Sequence, residues 1–110
     1  MERHGQVVRI TPGMRERYLE LHAAVWPEVE ATLSTHHVTN YTIFIHGELL
    51  FAYYEYVGAD HDADMARIAA DPVTQEWWTH TDPCQTPVEA PPGTPPGTPW
   101  SEMTEAWHLA

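Results

Sequence analysis

Lysine is absent from this chain. Its basic side chains are five scattered arginines, set against 16 Asp and Glu, which leaves a formal net charge of −11 over 110 residues. That supply cannot build the basic patch that neutralises a phosphate backbone or an anionic lipid surface, so neither nucleic acid nor membrane is expected as a partner. Cysteine is nearly absent too. Cys84 alone cannot close an internal disulfide, which fits a cytoplasmic compartment. No apolar run approaches the ~20 residues of a membrane span. The opening MERHGQVVRI lacks the apolar stretch of a signal peptide. A glycine-rich phosphate loop is also missing, which argues against a nucleotide ligand.

What is present suits one domain spanning residues 1–110: 43% hydrophobic residues, no internal repeat and a length that allows a modest core. Eight histidines and five tryptophans stand out. Histidine titrates near neutrality, and tryptophan offers a platform for flat or sugar-like ligands, although it also fills cores and interfaces.

The chain reads around Met14 to Leu33. At 3.6 residues per turn, Met14, Tyr18, Leu21, His22, Val25, Trp26, Val29 and Leu33 share one face, and Glu16, Glu20 and Glu30 lie opposite. Pro27 should bend this helix or open a second segment, because it lacks an N–H and clashes with the preceding turn. His22 falls mid-face, with Tyr18 and Trp26 one turn to either side. It is either a hydrogen-bonded core histidine or an acid/base group in a pocket.

Gln6 to Ile10 reads as a first strand, and Val38 to His46 and Leu49 to Val57 as a hairpin turning at Gly47-Glu48. Asp60 to Ala70 reads as a helix, and Asp71-Pro72 opens a further helical turn through Trp77-Trp78. Pro83 to Pro99 is proline-rich and reads as an extended arm or loop. A final strand is expected from Trp100 through Met103, Glu105 and Trp107. The order β-α-β-β-α-β is the ferredoxin-like α+β arrangement. Both faces of the hairpin are largely apolar or aromatic, and one helical layer covers only one of them. A second copy of the chain is therefore expected on the other, giving a homodimer through the sheet face.

Among chemical candidates, His36-His37 and His61-x-Asp-x-Asp64 have no strong metal-site spacing, and no metal is expected. Cys84 has no base nearby in sequence. Of Trp77 and Trp78, one should anchor its segment while the other faces a cavity. Tyr18, Tyr41 and Tyr54 can supply hydroxyls around His22.

These residues together resemble the L-rhamnose mutarotase family. The likeness rests on Tyr18-x-x-x-His22, Trp26-Pro27-Glu28, Asn40-Tyr41, Leu50-Phe51-Ala52 with Glu55, Trp77-Trp78, and Glu102-Met103-x-Glu105 before an aromatic strand. It implies a dimeric α+β barrel, no cofactor, and an aldose 1-epimerase interconverting the α and β anomers of a 6-deoxy pyranose. It further implies His22 as the proton donor and Tyr18, Tyr41, Trp77 and Trp78 as sugar-binding residues. A second group for the other proton transfer is left open between Glu55 and water. The stretch after Val57 and the proline-rich stretch depart from the family pattern. A cofactor-free oxygenase or cyclase of the same fold, or a non-catalytic sugar-binding module, would share most of these residues.

Overall fold

The computed structural model describes residues 1–89 and 100–110. The elements run β1 (Glu2–Ile10), α1 (Arg15–His22), α2 (Pro27–Thr35), β2 (Val38–His46), β3 (Leu49–Tyr56), α3 (His61–Ala70), α4 (Pro72–Thr81), β4 (Gln85–Thr86) and β5 (Ser101–Met103). The sheet is antiparallel with strand order β2-β3-β1-β4, and β5 pairs with β1 as well. This is the ferredoxin-like α+β order that the sequence suggested.

Period-two patterning builds the sheet. Along β3, Leu50, Ala52, Tyr54 and Tyr56 are buried in strict alternation. Leu50 pairs with Val8 of β1, and these two with Ile10, Tyr18 of α1 and Cys84 form one core cluster. Val38, Tyr54, Tyr56 and Ile68 form the second. Truncating a residue such as Leu50, which is 0% exposed, removes contacts whose loss costs about 2–5 kcal/mol. The opposite sheet face carries Val7, Phe44, Phe51 and Tyr53, and Phe44 is 61% exposed.

Several boundaries differ from the sequence expectation. β1 starts at Glu2 rather than Gln6, because β3 is long enough to pair with it back to Glu2↔Tyr56. The first helix stops at His22 rather than running to Trp26, and of the two outcomes expected at Pro27 the structure shows the second, a new helical segment. Trp26 takes an extended conformation (φ −63°, ψ 130°), as the residue before a proline must, and Pro27 becomes the first residue of α2. The last strand is short: only Ser101–Met103 pairs with β1, beside Gly5–Val7, while Gln85–Thr86 takes the rest of that edge at Arg9–Ile10. Of the proline-rich stretch 83–99, residues 90–99 lie outside the described residues. Within the remainder, Asp82–Cys84 forms a 3-10 turn that carries Cys84 into the core.

Two aspartates start the later helices. Asp60 Oδ1 accepts from the Ala63 N–H (3.1 Å) and Asp71 Oδ2 from the Thr74 N–H (2.8 Å), each contributing about 0.5–2 kcal/mol as a cap. Asp64, one turn into α3, has a different role. It is 4% exposed and accepts hydrogen bonds from Tyr56 Oη, His37 Nδ1 (3.0 Å) and Arg67 (2.9 Å). Led by the Tyr56 bond, these donors hold its carboxyl down at about 2. Because the folded value lies below the unfolded one, this stabilisation is complete above the ordinary aspartate value of about 4 and is lost as pH falls towards 2. Asp64→Asn is therefore expected to lower the melting temperature at pH 7 and to flatten its fall between pH 4 and 2. Thermal unfolding across that range checks this, and an unchanged acid limb would contradict it.

Candidate active site

His22 closes α1, where its imidazole bends back along the helix. The ring Nδ1 lies 2.9 Å from the Tyr18 carbonyl oxygen. A carbonyl only accepts, so Nδ1 carries the hydrogen and Nε2 keeps its lone pair. Two aromatic rings pack on the imidazole, and a third packs behind them. Tyr18 stacks on it at 4.1 Å and 23°, and Trp77 meets it edge-on at 5.6 Å. Trp26, held extended before Pro27, meets Trp77 edge-on at 5.3 Å and His80 at 5.6 Å. Burial lowers the His22 pKa, opposed in part by the Tyr18 carbonyl bond, so the neutral ring is the resting form near pH 7.

The imidazole borders a cavity of about 580 Å³ between the helices and the concave sheet face. That volume falls within the ~300–1,000 Å³ of small-molecule sites. Tyr18, His22, Trp77 and Trp78 line it from the helices, Tyr41 and Tyr54 from the sheet, and Gln6, Thr81, Gln85 and Trp100 from its borders. All five residues singled out in the sequence thus meet one cavity. Trp77 is 6% exposed and anchors α4, whereas Trp78 is 37% exposed at the rim.

Tyr41 reaches the cavity through an irregularity. The β2–β3 register shifts between Thr39 and Thr42, and Asn40 adopts φ 50°. The bulge lets both Val38 and Tyr41 turn towards the helices, although they lie three positions apart. The Tyr41 ring then stacks on Tyr54 at 5.6 Å and 7°. Burial pushes the Tyr41 hydroxyl up to about 12 and raises those of Tyr18 and Tyr54 as well, so all three are neutral hydrogen-bonding groups.

Two buried polar atoms bordering this space have no partner among the described residues: Tyr18 Oη and Gln85 Oε1. Each such group costs about 1–3 kcal/mol unless water or a ligand satisfies it. Gln85 was invisible in the sequence, lying in a segment whose composition signals only a loop. A polar residue flanked by Cys84 and the start of β4 reveals itself only once Gln85 pairs with Ile10.

Glu55, a candidate for the second proton transfer, points away from the cavity. Its carboxylate accepts from Asn40 Nδ2 (2.6 Å) and Tyr53 Oη (2.7 Å) on the opposite sheet face, as the pleat requires of an odd-numbered β3 residue. The adjacent His36 and His37 diverge, bonding to the Thr32 carbonyl (2.8 Å) and to Asp64. A second hollow of about 350 Å³, lined by residues including Thr32, His36, Arg67 and Asp71, lies among α2, α3 and α4. It lacks the aromatic walls.

A ferredoxin-like sheet with its concave face closed over an aromatic, histidine-bearing cavity defines a small-molecule protein of the α+β barrel class. Comparison with known proteins narrows this. The L-rhamnose mutarotase family profile matches residues 3–109. The L-rhamnose mutarotase of Listeria monocytogenes serotype 4b is 35% identical over 85 residues, covering 76% of this chain and 79% of that protein. The L-rhamnose mutarotase of Opitutus terrae is 35% identical over 82 residues, covering 73% and 76%. Among solved structures, the L-rhamnose mutarotase of Formosa agariphila superposes over both full chains with a TM-score of 0.75 at 22% identity. Tetracenomycin F2 cyclase from Streptomyces glaucescens does so with 0.64 at 18%, a likeness of fold alone. The chain belongs to the L-rhamnose mutarotase family.

The unpartnered Tyr18 hydroxyl makes a specific prediction. Tyr18→Phe removes a buried group that makes no protein hydrogen bond, so the ligand-free variant should melt no lower than the parent. A drop of several degrees in calorimetry would mean that the hydroxyl is already satisfied within the fold.

Proposed function

We propose that this chain is a mutarotase that interconverts the α and β anomers of L-rhamnose or a related 6-deoxy pyranose. The observation that carries this reading is the His22 imidazole, neutral and held in one tautomer by the Tyr18 carbonyl, bordering a cavity of sugar size. Family membership supports it.

The chemistry needs one proton removed from the anomeric hydroxyl and one delivered to the ring oxygen. In the resting form, His22 Nε2 takes the anomeric proton while the bond between C1 and the ring oxygen breaks and C1 becomes an aldehyde. The ring oxygen takes up the imidazolium Nε2–H proton, directly or relayed by one water that gives up a proton as it receives one, and the imidazole is neutral again. Rotation about C1–C2 turns the other aldehyde face towards the ring oxygen. The same steps in reverse then close the opposite anomer. The family's donor role for His22 is the second half of this cycle. A positioned acid/base of this kind contributes roughly 10²–10⁴-fold. Tyr18, Tyr41 and the Gln85 carbonyl oxygen would receive sugar hydroxyls, and Trp77 and Trp78 would pack on the C–H face and the C6 methyl. The lining mixes ring faces and aliphatic side chains with hydroxyls and amides, which suits a sugar with a C–H face and a methyl group. A neutral substrate needs no cationic clamp, so the acidic surface is no obstacle.

Among the described residues, no helix is long and apolar enough to cross a membrane. We place the activity in the cytoplasm, where the buried free thiol of Cys84 would remain reduced. We also propose that two copies associate through the sheet face bearing Val7, Phe44, Phe51 and Tyr53. This apolar surface has no helix over it among the described residues.

Two outcomes follow. Saturation-difference NMR on L-rhamnose should show protein-accelerated anomer exchange that His22→Ala reduces by at least ~10²-fold with the fold retained. The parent rate should fall only below pH ~6.5, because burial depresses the imidazole and the base form persists to lower pH. Unchanged exchange in the variant would remove His22 from the reaction. Separately, sedimentation at micromolar concentration should give a dimer that Phe44→Glu dissociates, and a monomeric parent would end that proposal.

A further inference from the structure

Outside the cavity, residues from two distant parts of the chain converge at the start of β1. Glu2, His4 and His61 each present one ligand atom, and all three atoms lie within 4.8 Å of one another. We infer that these three side chains form a binding site for a single divalent transition-metal ion of the zinc type, separate from the sugar-binding residues. The inference is independent of the proposed mechanism, which routes no step through this site.

The donor set comes first. Two imidazoles and a carboxylate suit Zn²⁺ and its neighbours Ni²⁺ and Cu²⁺, whereas Ca²⁺ and Mg²⁺ prefer all-oxygen shells. The spacing is close to what such an ion needs. Bond lengths of about 2.0–2.2 Å put neighbouring tetrahedral ligand atoms about 3.3–3.6 Å apart. His4 Nε2 and Glu2 Oε1 are already 3.0 Å apart, so that edge needs only a slight opening. The two imidazoles stack at 4.2 Å and 13°, so one ring must turn about its Cβ–Cγ bond for a nitrogen of each to point at one ion.

Positioning is the second point. Register fixes His4, because β1 pairs it with Tyr54 on the helix-facing side of the sheet, where its ring stacks on the phenol at 4.8 Å. His61 is the first residue of α3, behind the Asp60 cap, and its Nε2 lies 2.7 Å from Tyr54 Oη. Both rings are thus oriented by groups outside the triad. Glu2 is exposed and free to adjust.

Charge is the third. Carboxylates surround the two rings: Glu2 at 3.0 Å and Glu102 at 3.8 Å from His4, and Asp62 at 3.5 Å from His61. The adjacent Arg3 is engaged elsewhere, with Glu105 at 2.9 Å. Three carboxylates around two stacked imidazoles make an anionic corner that a divalent cation neutralises.

The test is a Zn²⁺ titration of the purified full chain by calorimetry, repeated with Co²⁺, whose visible absorption reports the ligand geometry. The expected result is one equivalent per chain with micromolar affinity. Affinity should fall at least tenfold in His4→Ala and in His61→Ala and stay unchanged in His46→Ala. Glu2→Gln changes an exposed side chain that the fold does not need. It should also weaken binding, which keeps the test decisive if either histidine variant misfolds. No binding up to millimolar Zn²⁺, or equal affinity in the parent and in Glu2→Gln and the histidine variants, would overturn the site. Anomer exchange plays no part in this readout, so its loss or retention bears only on the proposed mechanism.

Discussion

One hydrogen bond inside one helical turn organises the candidate site: the His22 ring donating to the Tyr18 carbonyl. It needs a helix that continues to His22, so that the ring folds back one turn and shares the Tyr18 carbonyl at i−4. Pro27 provides the stop that follows. It forces Trp26 into extended backbone, opening a short break between α1 and α2. That break leaves His22 at a helix end and aims Trp26 at Trp77. Tautomer, ring orientation and the aromatic wall behind them therefore share a single origin in the backbone.

The rest of the site follows from the sheet. The concave face supplies a floor of buried tyrosines, and the bulge near Asn40 adds Tyr41 to it. Among the described residues, helix packing leaves the Tyr18 hydroxyl and the Gln85 side-chain carbonyl oxygen without partners. A core designed only for stability would not retain two such groups at one cavity. Their presence is what a pocket built to receive hydroxyls looks like, since a ligand restores the hydrogen bonds that folding removed. Stability is held elsewhere, in the Val8–Leu50 cluster and in the Asp64 carboxylate with its three donors.

Much of this was legible in the sequence, for identifiable reasons. Alternation in LLFAYYEY and β-branched content in VTNYTIFIH gave β2 and β3 almost to the residue. Asp71-Pro72 marked the boundary between the two later helices. Helical spacing paired Tyr18 with His22, which identified the acid/base candidate. Long-range geometry was not legible. Nothing local told that Glu55 faces away from His22, that Gln85 enters the cavity wall, or that His4 meets His61. Each depends on a strand register or on a chain crossing. The last strand was overread because alternation in EMTEAW signals a strand whether or not a partner edge exists, and only Ser101–Met103 finds one on β1.

The central claim is that His22 holds its hydrogen on Nδ1 and turns a bare Nε2 to the sugar. Long-range proton–nitrogen NMR of the imidazoles, with and without L-rhamnose, tests it most directly. The account predicts the Nδ1–H tautomer for His22 at pH 7 and a clear shift of its Nε2 resonance when the sugar is added. An Nε2–H tautomer, or an Nε2 resonance indifferent to saturating sugar, would contradict it.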